Sequence, residues 1–138
     1  MLSRILVAVF SCAGLLISLY FTIVYYKPAA GIDRYVPSFC RIEPESCASL
    51  LGTRQARLYG MPNFVLGLLF YTGLVGSALS GILWKQLHLL LVLGSLVSVA
   101  TGIYLTDVLI VRLKIHCTLC LASHAINLAL CLILLTSP

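Results

Sequence analysis

Cys117 and Cys120 stand three residues apart at the opening of the last apolar stretch of the chain. In a helix that spacing puts two thiols on one face, one turn from each other. His124, Asn127 and Cys131 continue the same face, so positions 117, 120, 124, 127 and 131 form a polar or reactive stripe on an otherwise apolar segment. In lipid such a stripe has to face protein or a cavity. A Cys-x-x-Cys at a helix start suits thiol–disulfide exchange, because the amino end of the helix favours the thiolate, which is the attacking species. His116, Lys114 and Arg112 add positive potential just ahead of it.

Two further thiols, Cys40 and Cys47, form a second pair in the one long polar connection, while Cys12 and Cys131 lie inside apolar runs. For those last two, a small core thiol is the default reading. The same residues admit other chemistry. Cys117, Cys120, His116 or His124 and a loop cysteine could ligate zinc, since metal sites use the same short spacing. Two inert disulfides that only brace the connection are a third account. The redox reading makes Cys40 and Cys47 an outer pair that takes electrons from a dithiol partner and hands them to Cys117 and Cys120. No haem, flavin or iron–sulfur pattern offers an acceptor, so the expected acceptor is a quinone dissolved in the bilayer. Asn63 and His124 are the candidate donors to its carbonyl oxygens. Asn127 and Ser123 have a plainer use, as hydrogen-bonding groups between helices.

Those residues need helices to hold them. Of 138 residues 61% are hydrophobic and only 9% charged, against roughly a quarter charged in a soluble domain. The expectation is one all-α membrane domain, 1–138, with four spans at about 5–26, 61–83, 87–111 and 117–136 and one long loop, 27–60, between the first two. Each span is near the 20 apolar residues a bilayer requires. Tyr20, Tyr25, Tyr26 and Lys27 make an interfacial belt at the end of the first. In the loop, Pro28, Pro37 and Pro44 keep the first half extended or turned, and residues 46–52 read as a short helix, broken by Gly52, that could rest on the membrane surface. Pro62 suits the first turn of the second helix. Gly73, Ser77 and Gly81, and then Gly94, Ser98 and Gly102, are small residues that let helices approach. Trp84-Lys85-Gln86 reads as the turn of a helical hairpin. No cleaved leader is expected, because no small-residue cleavage site follows the first apolar run.

Four spans bring both termini to one face and gather Cys40, Cys47, Asn63, Cys117 and Cys120 at the other. The net charge of +5 comes from scattered basic residues with no run or aromatic platform, which excludes nucleic acid and suits anionic lipid. Lys27, Arg34, Arg41, Arg54, Arg57, Arg112 and Lys114 all fall on the cysteine face. The positive-inside count would turn that face to the cytoplasm, whereas disulfide chemistry asks for the oxidising side. We take the extracytoplasmic side.

The chain resembles the vitamin K epoxide reductase family over nearly its whole length. The resemblance is carried by the loop pair Cys40 and Cys47, by Pro62-Asn63-Phe64-Val65-Leu66-Gly67-Leu68-Leu69-Phe70-Tyr71, by Gly94-Ser95-Leu96-Val97-Ser98 with Tyr104 and Leu105, and by Cys117-Thr118-Leu119-Cys120 with Ala125-Ile126-Asn127. The other four-helix family of disulfide-forming quinone reductases has its Cys-x-x-Cys in an early loop. The resemblance implies that Cys40 meets a thioredoxin-like partner, Cys47 exchanges with Cys117, Cys120 faces the quinone, and Asn63 hydrogen-bonds it. Animal members carry tyrosine where this chain has His124, a departure that bears on quinone preference and on any epoxide activity. No fused thioredoxin-like domain is expected after Pro138, and the donor is expected to be a separate protein. The function expected is a quinone-dependent thiol–disulfide oxidoreductase of the microbial type, with ubiquinone or a menaquinone (vitamin K) type quinone as acceptor and a role in protein disulfide formation. The alternatives are an animal-type vitamin K epoxide and quinone reductase, and a non-enzymatic Cys/His metal-binding membrane protein.

Overall fold

The computed structural model describes residues 1–26, 57–58, 60–114 and 117–137. Four helices account for most of them: α1 (Leu2–Tyr26), α2 (Asn63–Leu79), α3 (Gly81–Asp107) and α4 (Thr118–Thr136). A π-helical turn, Val108–Arg112, prolongs α3 and is closed by Leu113 N–H donating to Val108 O at 2.9 Å. Ahead of α2, β1 (Arg57–Leu58) and β2 (Met61–Pro62) make a two-residue antiparallel pairing. Gly60, at φ 79°, supplies the left-handed backbone that so tight a turn needs. The short helix expected at 46–52 lies outside the described residues.

Among the described residues, three segments are long and apolar enough to cross a bilayer: Leu2–Ile23, Trp84–Arg112 and Thr118–Thr136. The protein is an integral membrane protein. α2 is apolar too, but its 17 residues span only about 25 Å at 1.5 Å per residue. Pro62 is its N-cap, with extended backbone, one place before the first turn expected for it. The chain reverses after α2 at Ser80, a single extended residue (φ −95°, ψ 109°). The turn is therefore not at Trp84-Lys85-Gln86. Those residues belong to α3, and Trp84 is buried in the core with its ring against His88.

Steric contacts fix how the helices run. Arg4 meets the end of α2, Gly14 faces Tyr71, and Gly67 faces Ser18, so α1 and α2 are antiparallel. Phe70 lies on Gly94, which folds α3 back along α2. His124 lies on Gly102, and Leu109 clusters with Cys117, which makes α3 and α4 antiparallel. Neighbours around the ring are α1–α2–α3–α4 and back to α1. α2 and α4 occupy a diagonal and point the same way.

The small residues divide unevenly. On α3, Gly94 and Gly102 sit under a Phe70 ring and a His124 ring. On α2, a Cβ at Gly73 would meet nothing within 4 Å, and close approach is made instead by Gly67. Leucines on the outer face, such as Leu19, Leu69, Leu89 and Leu128, are exposed, as lipid contact requires. Thr22, Thr72, Thr106 and Thr136 donate their hydroxyls to carbonyls three or four residues back, so these polar groups are satisfied within their own helix.

Candidate functional site

One end of the bundle gathers Tyr25 and Tyr26, the start of α2, the π-helical turn and the start of α4. There Phe21, Phe64, Leu109 and Cys117 form a buried cluster, with Ile17, Tyr20, Tyr25, Val65, Leu119 and Cys120 packed around it. The rings of Tyr25 and Phe64 meet at 5.4 Å between centroids and those of Tyr20 and Phe21 at 5.8 Å. Aromatic rings at these distances gain energy from edge and face contacts beyond the area they bury.

Cys117 is the N-cap of α4, in extended conformation, and its carbonyl accepts from Leu121 N–H at 3.1 Å. Its side chain is 0% exposed. Cys120 lies in the first turn of the helix and is half-buried. The pair therefore occupies the amino end of α4, as its spacing predicts, with the deeper sulfur walled by aromatic and leucine side chains. The approach to it is unusual. After the π-helical turn, Lys114 takes a left-handed conformation, φ 52°, which is costly for a residue with a Cβ. Lys114 and Arg112 are exposed at this end.

Along α4 the stripe points inward. Cys117, Asn127 and Cys131 are buried and Cys120 and His124 half-buried, whereas Ala125, Leu128 and Leu132 face out. His124 presses on the bare α-carbon of Gly102: a Cβ there would sit 2.9 Å from Nδ1. That Nδ1 is buried and has no hydrogen-bond partner among the described residues. A polar atom left so in a native fold calls for a ligand, a water or a functional use. Asn63 opens α2 at the same end of the bundle and is half-buried.

Asn127 has the helix-bridging use expected of it, and its partner is a residue whose role the sequence did not signal. Tyr71 Oη donates to Asn127 Oδ1 at 2.5 Å, with Tyr71 3% and Asn127 9% exposed. Cys131 is a core thiol as its surroundings suggest, but Cys12 is exposed on the outer face of α1. Cys40, Cys47 and His116 lie outside the described residues. Among the described residues no three His, Cys, Asp or Glu side chains gather to hold a metal ion.

Comparison with known proteins places these features in a context. The family model described as "Vitamin K epoxide reductase family" matches residues 5–135. The chain is 33% identical over 136 residues to the mouse (Mus musculus) protein named "Vitamin K epoxide reductase complex subunit 1", covering 88% of this chain and 81% of the relative. The rat (Rattus norvegicus) protein of the same name is 30% identical over 135 residues, with the same coverage.

Proposed function

The chain belongs to the vitamin K epoxide reductase family, and we propose on that premise that it is a membrane oxidoreductase that oxidises a thioredoxin-like dithiol partner and reduces a quinone. The observation that carries the reading is the amino end of α4. Cys117 is fully buried among Phe21, Phe64 and Leu109, and Cys120 is half-buried one turn further on. A thiol pair so placed has one sulfur enclosed and the other half-open, at the end of the bundle from which the 27–60 connection leaves.

In this reading a partner thiolate attacks the Cys40–Cys47 disulfide, and the partner leaves with its own disulfide. The loop dithiol then reduces the Cys117–Cys120 disulfide, Cys47 attacking Cys117. The Cys117–Cys120 dithiol finally gives up two electrons and two protons, through Cys120, to a quinone as its disulfide bond closes again. The balance is one partner dithiol and one quinone in, one partner disulfide and one hydroquinone out. Asn63 and His124 would hold the quinone's oxygens. The orphaned Nδ1 of His124 and the apolar walls around Cys120 fit such a group. The same proposal has α2, packed antiparallel between α1 and α3, complete a fourth crossing, and turns the cysteine end to the extracytoplasmic side, where protein disulfides form.

A second reading follows from the relatives. The mouse and rat proteins are named for vitamin K epoxide reductase, so the same thiol pair would reduce the epoxide as well, two thiols giving a disulfide, the quinone and water. Assays with purified protein, a small dithiol and either acceptor separate the two. Quinone turnover that disappears in Cys120→Ala supports the first reading; epoxide turnover at a comparable rate supports the second. Turnover of quinone by Cys120→Ala would remove Cys120 from the reaction. Cys47→Ala should keep quinone reduction with a small dithiol and lose it with the protein donor, and equal loss with both would rule out the relay through the loop.

A further inference from the structure

We propose that Tyr71 and Asn127 are positioning residues that set the height of α2 against α4, and with it the height of Asn63 against Cys120; this rests on the function proposed above. The two helices lie on a diagonal of the bundle. Each packs mainly on α1 and α3, so their relative position is inherited through neighbours unless something ties them directly. The hydrogen bond from Tyr71 Oη to Asn127 Oδ1, 2.5 Å long and buried, is such a tie. Between helices in lipid, van der Waals packing and hydrogen bonds replace the hydrophobic drive that would hold them in water.

The tie is stiff at the tyrosine end. A Cβ at Gly14 would collide with the Tyr71 ring, and one at Gly67 would lie 3.7 Å from it. The ring is therefore wedged between the α1 backbone and its own helix, and its hydroxyl has one place to be. From this point the chain can be counted back to the site. Asn63 stands eight residues before Tyr71 and Cys120 seven before Asn127. Because α2 and α4 run in the same direction, these intervals are about 12 Å and about 10.5 Å along the axis. Both side chains lean towards the amino ends of their helices, so the offset between side chain and backbone partly cancels. Asn63 and Cys120 thus come to within about 1.5 Å of one height, less than a third of a helical turn. A quinone held by Asn63 then meets the sulfur of Cys120, whereas a slip of a full turn, about 5.4 Å, on either helix would misplace it.

The test uses Tyr71→Phe, which keeps the ring against Gly14 and removes only the donor, and Asn127→Leu, which removes the acceptor. In full-length protein reconstituted in lipid, kcat/KM for a soluble quinone analogue should fall about tenfold in either variant, because a misplacement on the ångström scale weakens a preorganised site by that order or more. The double variant should fall no further than the singles. The rate at which a small dithiol reduces the Cys117–Cys120 disulfide without quinone should stay at the wild-type value, since that step needs no contact with Asn63. A general loosening of the fold would slow both steps. An unchanged kcat/KM for quinone in Tyr71→Phe, or an equal loss in both steps, overturns the clamp and leaves the redox function standing. A wild-type protein that reduces no quinone overturns both.

Discussion

Towards the end of the bundle that holds the chain termini, Val7, Leu74, Leu130 and Leu134, all fully buried, pack with Ala78, Trp84 and Tyr71 into a core rich in aliphatic side chains. At the opposite end, Phe21, Phe64 and Leu109 surround a cysteine, and half-buried Cys120, Asn63 and His124 stand nearby. The same four helices thus have one end packed mainly by leucine and valine around Tyr71 and Trp84, and another whose buried cluster holds a thiol. Cysteines on α4 show the contrast within one helix: Cys117 and Cys131 are both buried, but one caps the helix among aromatic rings and the other lies mid-helix, deeper towards the aliphatic core.

The sharpest way to break this comparison is to remove each thiol in turn. Cys117→Ala should lower quinone reduction by about a thousandfold or more, as loss of a nucleophile does. Cys131→Ala should leave it within about twofold, as a core change away from the chemistry does. Steady-state rates with a small dithiol decide it, and comparable losses in the two variants would mean that burial, and not position on α4, is what matters.

Much of this division was legible in the chain itself. Length and apolarity marked α1, α3 and α4 as spans, and the 117–120–124–127–131 spacing marked the inward stripe, because a 3.6-residue period survives whatever the helix packs against. What failed to show was set by tertiary contact. Trp84-Lys85-Gln86 looked like a turn because a lysine and a glutamine interrupt an apolar run. In the fold Trp84 is core, Lys85 and Gln86 are exposed within α3, and one extended residue, Ser80, makes the reversal. Cys12 carried no sign of which face of α1 would meet lipid. Tyr71 sat unnoticed within an aromatic-rich run, since nothing in local spacing tells a tyrosine that its partner is 56 residues away on a diagonal helix. The loop pair, Cys40 and Cys47, was legible as chemistry only.

Stability should separate the ends next. Leu130→Ala, at a fully buried position of the aliphatic core, should cost about 2 kcal/mol, the low end for such truncations, because lipid solvates the unfolded helices almost as well as the core does. Thermal inactivation in lipid should shift, while the rate per folded molecule stays as in the wild type. A fall in the rate per folded molecule would show that the two ends are coupled.

α3 offers a pair of glycines for a finer cut. Gly102→Ala puts a methyl group 2.9 Å from His124 Nδ1, so the imidazole must shift, and KM for quinone should rise about tenfold, or about 1.4 kcal/mol of binding. Gly94→Ala meets the Phe70 ring at 3.2 Å, away from the cysteines, and should leave KM where it was. Identical KM values for the two variants would separate His124 from the quinone.

The smallest effect belongs to Arg4, and it probes what closes the terminal end. Its Nε and Nη2 donate to Ala78 O at 3.0 and 2.7 Å, and Nη2 also reaches Leu79 O at 3.3 Å. These are among the last carbonyls of α2, which no backbone N–H of the helix can satisfy, and a cation there also complements the helix dipole. Of these four helices α2 is the shortest, so its end is where fraying would begin. Arg4→Gln keeps a donor but loses the charge and the planar fork, and should destabilise the protein by about 1 kcal/mol. Arg4→Lys should recover part of that, since the charge returns without the paired geometry. Because the guanidinium lies at the far end from Cys120, quinone kinetics should be indifferent to both changes. If Arg4→Gln raised KM for quinone instead, α2 would be moving as a rigid rod, and the height of Asn63 would be governed from the terminal end and not by Tyr71.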